Sequence, residues 1–520
     1  MKIKDADLGV VQVRTLELPD YVKSPSGTYT HTGTVLLDYK KDEDADKKDF
    51  FRIAVLNDDG SAFREIFAGE IKKHPKANGT RFMVFWDNKR VLLGDYVLEC
   101  TPDIDNCEKS ALVPVRYPAS LYDDKRVLFH WSEIIVSPDN KHICWTALSM
   151  SSAAVFIGQL KRNDADYSIE DVKTISSSEF LLPDPNNKDC VIPVPLRGGE
   201  VKQFVRGGTA VSMVGGKNSV LSDSVVIDLC SDDITQITKL PGYEETTIFS
   251  PDEQLGIVMS TRGSTKTNFA ILGHLPRPYG LLAAQGMILP VYMYAVAGVR
   301  QFRKGNVGPV LIDIDKSIND PGYMGVQLND PEENWVYLSP MSWKNDGSKA
   351  MWPEMRRGNE KEKRLRIVEL LDYKPKEKVA VSQVPANIPY AVEGVSDKWL
   401  KPRENADVKI AGKHSGYITF SRTSQESLTK YKDFSDDGKS FYNGCEKVTY
   451  SPTRETIYTS DLKLSGENQG EMDCRISFSP AGFGSAPVSL LFETAEDGKP
   501  RSYGYAVYNG VKLSVDDMEK

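Results

Sequence analysis

The sequence has no excess of basic residues, no cysteine framework and no histidine cluster. Acidic residues outnumber basic ones, 73 to 65, for a formal charge of −8, so neither nucleic acid nor an anionic membrane surface is expected as a partner. The seven cysteines are scattered and never spaced C-x-x-C, a pattern that argues against a disulfide framework and a thiolate zinc site. The six histidines never stand in an H-x-H or H-x-x-x-H spacing, so no metal and no cofactor is predicted.

Two further absences concern targeting and nucleophilic catalysis. The amino terminus carries Asp5 and Asp7 and no apolar run, unlike a secretory signal peptide, so a cytoplasmic location is expected. The sequence contains no G-x-S-x-G motif, which argues against the nucleophile elbow of an α/β-hydrolase and therefore against peptidase chemistry of that type.

One uncharged run, residues 278–299, is about long enough to cross a bilayer. It is interrupted by Pro290 and by Gly280, Gly286 and Gly298. Hydropathy alone does not separate a membrane span from a buried helix. We therefore expect a helical insertion near residues 274–306 that packs on the rest of the protein, and no membrane contact.

What the sequence does contain is an internal repeat, inside an ordinary globular composition of 40% hydrophobic and 27% charged residues. Its clearest copies, residues 134–148 and 247–262, each hold an apolar strand, a Ser-Pro-Asp turn and a second apolar strand. Proline pre-sets φ and aspartate bonds the local backbone, so the tripeptide predicts a hairpin. Weaker copies follow at residues 83–95, 341–354, 448–461 and 476–493.

These units resemble the repeat of the TolB-like (WD40-like) β-propeller family, which carries a Ser-Pro-Asp-Gly turn between its two innermost strands. Ser137-Pro138-Asp139-Asn140 and Ser250-Pro251-Asp252-Glu253 are the best matches, and Asn140 and Glu253 replace the usual glycine. The resemblance implies an all-β fold. We expect a single β-propeller over residues 1–520 with about seven four-stranded blades, six to eight being compatible with the repeats, and an amino-terminal strand that closes the ring.

The radial arrangement of a propeller predicts where polar side chains converge. Positions four to seven residues before each turn, and positions just after each second strand, should share one face of the channel. Histidine and carboxylates together perform proton transfer, and the catalytic candidates are His130, Glu133, Glu245 and Glu354. Aromatic rings and guanidinium groups suit a sugar-like, anionic ligand, and the substrate-binding candidates are Trp131, Tyr243, Glu244, Arg262, His274 and Arg356.

Two functions fit this pattern, because a propeller fold does not determine a reaction. The first is an intracellular enzyme acting on a small polyhydroxylated or carboxylated, carbohydrate-like molecule by acid/base lyase or hydrolase chemistry. The second is a non-catalytic scaffold that binds a protein or peptide across the same face. The insertion would add His274, Arg277, Tyr279, Arg300 and Arg303 to the site if it covers the channel; alternatively, it forms a contact between subunits of a homo-oligomer.

Overall fold

The computed structural model describes most of the chain. The described residues are 1–149, 152–176, 181–194, 199–216, 220–264, 270–280, 282, 286–302, 307–320, 322–339, 341–401, 405–450, 455–480 and 488–518. All statements below about absent contacts refer to these residues.

Strands dominate the structure. In chain order they are β1 (Lys2–Asp5), β2 (Gly9–Thr15), β3 (Lys23–Tyr29), β4 (Val35–Lys40), β5 (Phe50–Leu56), β6 (Arg64–Glu70), β7 (Met83–Val84), β8 (Arg90–Leu92), β9 (Tyr96–Thr101), β10 (Lys109–Arg116), β11 (Val127–Val136), β12 (His142–Ser149), β13 (Ala153–Arg162), β14 (Tyr167–Ser176), β15 (Leu181–Pro183), β16 (Val191–Pro193), β17 (Glu200–Val205), β18 (Ala210–Gly215) and β19 (Asp223–Asp228). They continue with β20 (Ile234–Gln236), β21 (Glu244–Phe249), β22 (Leu255–Ser260), β23 (Gly308–Asp313), β24 (Val326–Gln327), β25 (Trp335–Tyr337), β26 (Ser342–Trp343), β27 (Lys349–Arg356), β28 (Asn359–Leu370), β29 (Val392–Glu393), β30 (Ala406–Ala411), β31 (Ser415–Arg422), β32 (Glu426–Ser435), β33 (Ser440–Thr449), β34 (Thr456–Gly466), β35 (Gly470–Phe478), β36 (Tyr503–Tyr508) and β37 (Val511–Ser514).

Helices are short. The α-helical segments are Ala119–Asp123, Ala270–Gly273, Ile288–Tyr292, Arg300–Phe302 and Ile314–Asn319, a π-helix spans Met293–Val299, and 3-10 turns span Asp42–Asp44, Arg206–Gly208, Lys398–Leu400 and Val515–Asp517. In the described chain, no helix has both the length and the apolar character needed to cross a membrane.

Six groups of antiparallel strands form a closed ring, and a parallel pairing of β10 with β14 joins the second and third groups into one sheet. We number them blade 1 (β3–β6), blade 2 (β7–β10), blade 3 (β11–β14), blade 4 (β17–β20), blade 5 (β21–β24) and blade 6 (β25–β28). Each blade packs against the next in chain order, and blade 6 packs against blade 1. Separate apolar clusters fill the interfaces, as Ile53 and Leu98 do between blades 1 and 2. The predicted all-β class is confirmed, and the ring of blades is propeller-like.

The amino terminus closes the ring. β2 pairs antiparallel with β28, with Val11 opposite Leu370 and Val13 opposite Val368, and β1 pairs with β2. The sheet of blade 6 therefore contains strands from the beginning and from the end of the ring. Because β2 precedes blade 1 in the chain and pairs with β28 of blade 6, it links the first blade to the last one. The expected closure by the amino-terminal strand is present.

In the described part of the chain the ring has six blades and no seventh, so a single seven-bladed propeller over the whole chain is not confirmed. Strands β30 to β37 form one eight-stranded antiparallel sheet, which we call the C-terminal sheet. The weak repeats at 448–461 and 476–493 lie in it, as the β33–β34 and β35–β36 connections; residues 451–454 and 481–487 of these repeats lie outside the described residues. Ser-Pro turns mark any antiparallel hairpin, so they did not separate a blade from this sheet.

The four other repeats are the turns β7–β8, β11–β12, β21–β22 and β26–β27 of blades 2, 3, 5 and 6. In blade 6, β25 and β26 both pair with β27 and together take the place of the first strand. Asn140 and Glu253 adopt left-handed backbone, with φ of 61° and 56°, at the position of the glycine in the TolB-like repeat. Gly347 does the same in blade 6, with φ of 72°. The turn geometry is thus kept even where the glycine is replaced.

The segment 371–401, which leads from blade 6 to the C-terminal sheet, crosses the side of the propeller that carries these turns. Three of its backbone N–H groups donate to blade turns: Lys376 to Asp252 Oδ2 at 2.9 Å, Ser382 to the Gly207 carbonyl at 2.8 Å, and Val384 to Asp139 Oδ2 at 3.2 Å. The opposite side, where the first strands begin, faces the insertion. Met287, Val291 and Tyr294 of the insertion share one apolar cluster with residues of blades 5 and 6 and of the C-terminal sheet.

Candidate active site at the channel

Three carboxylates from three blades surround one buried ammonium, Lys202. Its Nζ lies 2.8 Å from Glu200 Oε2, 3.4 Å from Glu245 Oε1 and 3.7 Å from Glu133 Oε1. The Lys202 side chain is 3% exposed, whereas Glu200 is 23% exposed. The cluster is therefore buried at Lys202 and partly open at Glu200.

Further side chains extend this group. Arg81 Nη2 lies 3.0 Å from Glu133 Oε2, and the Tyr243 hydroxyl donates to Glu245 Oε2. Tyr337 of blade 6 and Tyr292 and Arg300 of the insertion act electrostatically on the same groups. We call this set the channel cluster; its members are Arg81, Glu133, Glu200, Lys202, Tyr243, Glu245, Tyr292, Arg300 and Tyr337.

The repeat explains the convergence. All the blade residues of the channel cluster precede the first residue of their own turn by four to seven positions. The turns begin at Phe85, Ser137, Arg206, Ser250 and Lys344. Because the first strands run in the same direction around one axis, side chains that precede the turn by four to seven positions lie toward the same end of the channel.

The pKa values of the Glu200 and Glu245 carboxyls are shifted in opposite directions. Burial raises the pKa of Glu245 above its ordinary value, and the charge of Glu200 raises it further against the opposing effect of Lys202. Burial also acts to raise the pKa of Glu200, but the charge and hydrogen bond of Lys202 outweigh it and hold that pKa below its ordinary value. Two carboxyls that share one site and titrate apart are suited to separate acid and base roles.

Lys202 itself stays charged. Burial acts to lower the pKa of Lys202, but the charges of Glu133, Glu200 and Glu245 raise it well above the ordinary value. An ammonium locked in its charged form stabilises a carboxylate that has released its proton. The arrangement can therefore take up and return one proton at Glu245.

Several buried polar atoms of the channel cluster have no hydrogen-bond partner among the described residues. They are Tyr337 Oη, Arg81 Nε, Arg300 Nε and Glu133 Oε2, the last of which still forms an ion pair with Arg81. Tyr337 is only 2% exposed, and an unsatisfied buried donor costs about 1–3 kcal/mol. A bound ligand or water can supply the missing partners.

Of the residues predicted from the sequence, the structure brings Glu133, Glu245 and Tyr243 together. Arg300 of the insertion joins them. Arg303 lies outside the described residues.

His130 and Trp131 turn away from the channel cluster. A register shift between Phe129 and Glu133 marks a bulge in β11. His130 Nε2 lies 2.8 Å from Asp95 Oδ1, and Trp131 Nε1 donates to the same oxygen at 2.9 Å. Both side chains are fully buried against blade 2, so the structure gives the expected catalytic and binding roles no access to a substrate.

Glu244 and Arg262 pair with each other on the opposite face of their strands. Arg262 Nη2 donates to Glu244 Oε2 at 3.2 Å, and Ser260 Oγ donates to Glu244 Oε1 at 2.8 Å. Adjacent residues of a strand point to opposite faces, so Glu244 diverges from Glu245. The structure therefore pairs these two predicted substrate-binding residues with each other, away from the channel cluster.

Glu354 and Arg356, at the end of a second strand, also miss the channel cluster. Arg364 Nε and Trp352 Nε1 donate to Glu354 at 2.7 and 3.0 Å. Arg356 is 51% exposed and pairs with Glu362 at 2.9 Å. Second strands lie about 4.8 Å farther from the axis, so the predicted convergence of their ends with the first group is wrong.

The beginning of the insertion binds the C-terminal sheet instead of the channel. His274 Nε2 lies 2.9 Å from the Val511 carbonyl oxygen, Tyr279 donates to Asp436 Oδ2 at 2.6 Å, and Arg277 is buried against Glu446. The expected role of His274 in substrate binding therefore finds no support from its position.

Sequence reasoning missed Glu200, Lys202, Tyr292 and Tyr337. A usable signal existed for blade 4: Glu200 and Lys202 stand six and four residues before the Arg206-Gly207-Gly208 turn. That turn lacks the Ser-Pro-Asp signature, so the turn motif alone does not mark these two positions. Tyr292 comes from the insertion, whose position no repeat encodes.

The described residues contain no evident set of metal ligands. In the described part of the chain, no three histidine, cysteine, aspartate or glutamate side chains are placed to hold a metal ion. All seven cysteines are free thiols.

Comparison with known proteins gives only distant similarity. No family model and no curated protein matches the sequence. Structural neighbours include TolB from Acinetobacter baumannii, with 10% identity, coverage of 68% of this chain and 64% of that one, and a TM-score of 0.29. Prolyl oligopeptidase B from Galerina marginata has 9% identity, coverage of 80% and 47%, and a TM-score of 0.31. A luciferin-regenerating enzyme has 9% identity, coverage of 72% and 100%, and a TM-score of 0.36.

The chain thus spans less than two thirds of the TolB protein and less than half of the oligopeptidase. At these TM-scores the fold rests on the strand pairings given above.

Proposed function

We propose that the channel cluster is the active site of an enzyme that acts on a small polyhydroxylated or carboxylated, carbohydrate-like molecule by acid/base lyase or hydrolase chemistry. The observation that carries the proposal is the carboxyl pair Glu200 and Glu245 beside Lys202. One carboxyl has a raised pKa and the other a lowered pKa. We further propose that the ring is a TolB-like propeller, on the strength of its Ser-Pro-Asp turns.

In this proposal Glu245 gives a proton to the departing oxygen of the substrate, and the ammonium of Lys202 stabilises the carboxylate that remains. Glu200, the more exposed carboxyl, accepts a proton from the substrate or from water. Positioned general acids and bases accelerate reactions by about 10²–10⁴-fold each. The hydroxyl of Tyr243, which donates to Glu245, orients that carboxyl.

The alternative is a scaffold that binds a protein or peptide across the same face. Such a partner needs an accessible rim of neighbouring blades. The insertion packs against blades 5 and 6 on this side, and it adds Tyr292 and Arg300 to a buried polar group. This arrangement favours a small ligand over a flat protein surface.

The experiment begins with a thermal-shift screen of sugars, sugar acids and glycosides, because a ligand of the native state raises the melting temperature. Turnover of the compounds that bind is then measured for wild type, Glu245→Gln and Glu362→Gln. We expect kcat to fall by about 100-fold or more in Glu245→Gln. The exposed Glu362 should have no effect; wild-type turnover in Glu245→Gln would overturn the acid/base assignment.

A further inference from the structure

Arg300 differs from the other cations of the channel cluster because it has no carboxylate partner among the described residues. Lys202 pairs with Glu200 and Glu245, and Arg81 pairs with Glu133. Among the described residues, the guanidinium of Arg300 has a single polar side-chain contact, from Nη1 to the sulfur of Met259 at 3.7 Å. Its Nε is buried and has no acceptor.

The backbone holds Arg300 in place. Arg300 follows a π-helix, Met293–Val299, and such segments are frequent at functional sites. Its carbonyl oxygen accepts a hydrogen bond from Arg357 Nη1 at 2.8 Å, and the preceding Val299 is 1% exposed. The backbone at Arg300 is therefore held by its neighbours. A mobile backbone does not explain why the Arg300 side chain has no carboxylate partner among the described residues.

The charge of Arg300 acts electrostatically on ionisable groups of the proposed active site. It lowers the pKa of Glu245 against the larger effect of burial, and it also lowers the pKa of Tyr337 and Tyr292 against burial. Tyr337 Oη is a second buried group without a partner. The helix that begins at Arg300 packs against β25, which carries Tyr337. A partly unpaired guanidinium and an unpaired phenol therefore lie on neighbouring elements beside the channel cluster.

We infer that Arg300, with Tyr337 beside it, binds a carboxylate group of the ligand. A half-buried cation without a counter-charge is costly, and a carboxylate matches the planar fork of a guanidinium with two parallel hydrogen bonds. This inference rests on the proposed function and deepens it: the substrate is a hydroxy acid or sugar acid, and not a neutral sugar. Arg262 and Arg356, the sequence candidates for this role, are both paired elsewhere.

The test uses acetate, glycolate and glucuronate as probes, with chloride at the same ionic strength as the reference. Melting temperature and calorimetric titration are recorded for wild type, Arg300→Gln, Arg300→Lys and Arg126→Gln. Arg126 is a matched control because it is 51% exposed and pairs with Asp124 outside the channel cluster. Removing an unpaired charge should leave Arg300→Gln folded.

We expect saturable binding of at least one carboxylate probe to wild type and to Arg126→Gln. The Kd should rise at least tenfold in Arg300→Gln, and by less in Arg300→Lys, which keeps the charge without the fork. The inference is overturned if wild type binds none of the probes, or if Arg300→Gln binds them as wild type does. Glu245→Gln separates the two proposals: it should keep carboxylate binding within threefold while losing turnover.

Discussion

The insertion contacts two buried groups of charges, and they differ in how completely they are paired. In the C-terminal sheet, Arg277 Nε donates to Glu446 Oε1 at 2.8 Å, and Nη2 donates to Tyr458 Oη at 2.7 Å. Tyr431 and Tyr458 both donate to Glu446, at 3.0 and 2.6 Å. No side-chain atom of these four residues is left without a partner. In the channel cluster, three buried donor atoms are unpaired.

The difference separates a structural group from a binding group. A fully paired buried network fixes one arrangement of the chain, and Arg277 thereby fastens the insertion to the C-terminal sheet. An incompletely paired network costs stability, which persists when the site serves a ligand. Burial and charge alone would not have distinguished the two.

The strongest way to test the comparison is to break the paired group. Arg277→Met leaves Glu446 buried without its cation, and we expect a loss of about 3–5 kcal/mol in the free energy of unfolding. Chemical unfolding followed by circular dichroism measures it. The double variant Arg277→Met/Glu446→Gln should recover part of the loss. A loss below about 1 kcal/mol would mean that this pair does not hold the insertion.

A smaller loss is expected for Lys202→Met in the channel cluster. The variant leaves three carboxyls without their ammonium, and we expect about 2–4 kcal/mol at pH 8. Without Lys202, burial raises the folded-state pKa of Glu200 and Glu245 above the unfolded values. Stability of the variant then falls as pH rises through those values, so its deficit against wild type should shrink at pH 5. An equal deficit at both pH values would contradict the assignment.

The smallest expected effect is that Glu245→Gln changes how the free energy of unfolding depends on pH. In wild type the raised pKa of Glu245 contributes stability that is present below the unfolded value, about 4.3, and is lost as pH rises through the folded value. The glutamine cannot titrate, so the difference in stability between wild type and variant should fall with pH by up to about 1.4 kcal/mol per unit. Denaturant midpoints from pH 4 to 8 measure it; a flat difference would show that Glu245 has no raised pKa.

The sequence pattern indicates the rule that places side chains in the channel cluster, but the Ser-Pro-Asp motif does not identify all members of the cluster. Glu133, Tyr243 and Glu245 stand four to seven residues before a Ser-Pro-Asp turn, and the structure brings them together. Glu200 and Lys202 obey the same rule before a turn of different composition. The rule depends on strand direction around an axis, while the Ser-Pro-Asp signature is only one way to make the turn.

Other features depended on contacts that no local pattern encodes. The bulge that turns His130 toward Asp95 and the outer position of Glu354 follow from strand pairing. The eight-stranded C-terminal sheet shares alternation and turn residues with propeller blades, so its sequence predicted strands without telling how many join in one sheet. The closure of the ring by β2 was predictable because an unpaired terminal strand is costly in an all-β fold.

The most direct test compares two buried glutamates, Glu446 and Glu245, each changed to glutamine. Unfolding free energies of both variants are measured at pH 7 against wild type. The account predicts that Glu446→Gln loses about 3 kcal/mol or more because it unpairs Arg277, whereas Glu245→Gln stays within about 1 kcal/mol because Lys202 keeps two other carboxylates. Equal losses would contradict the distinction between a structural group and a binding site.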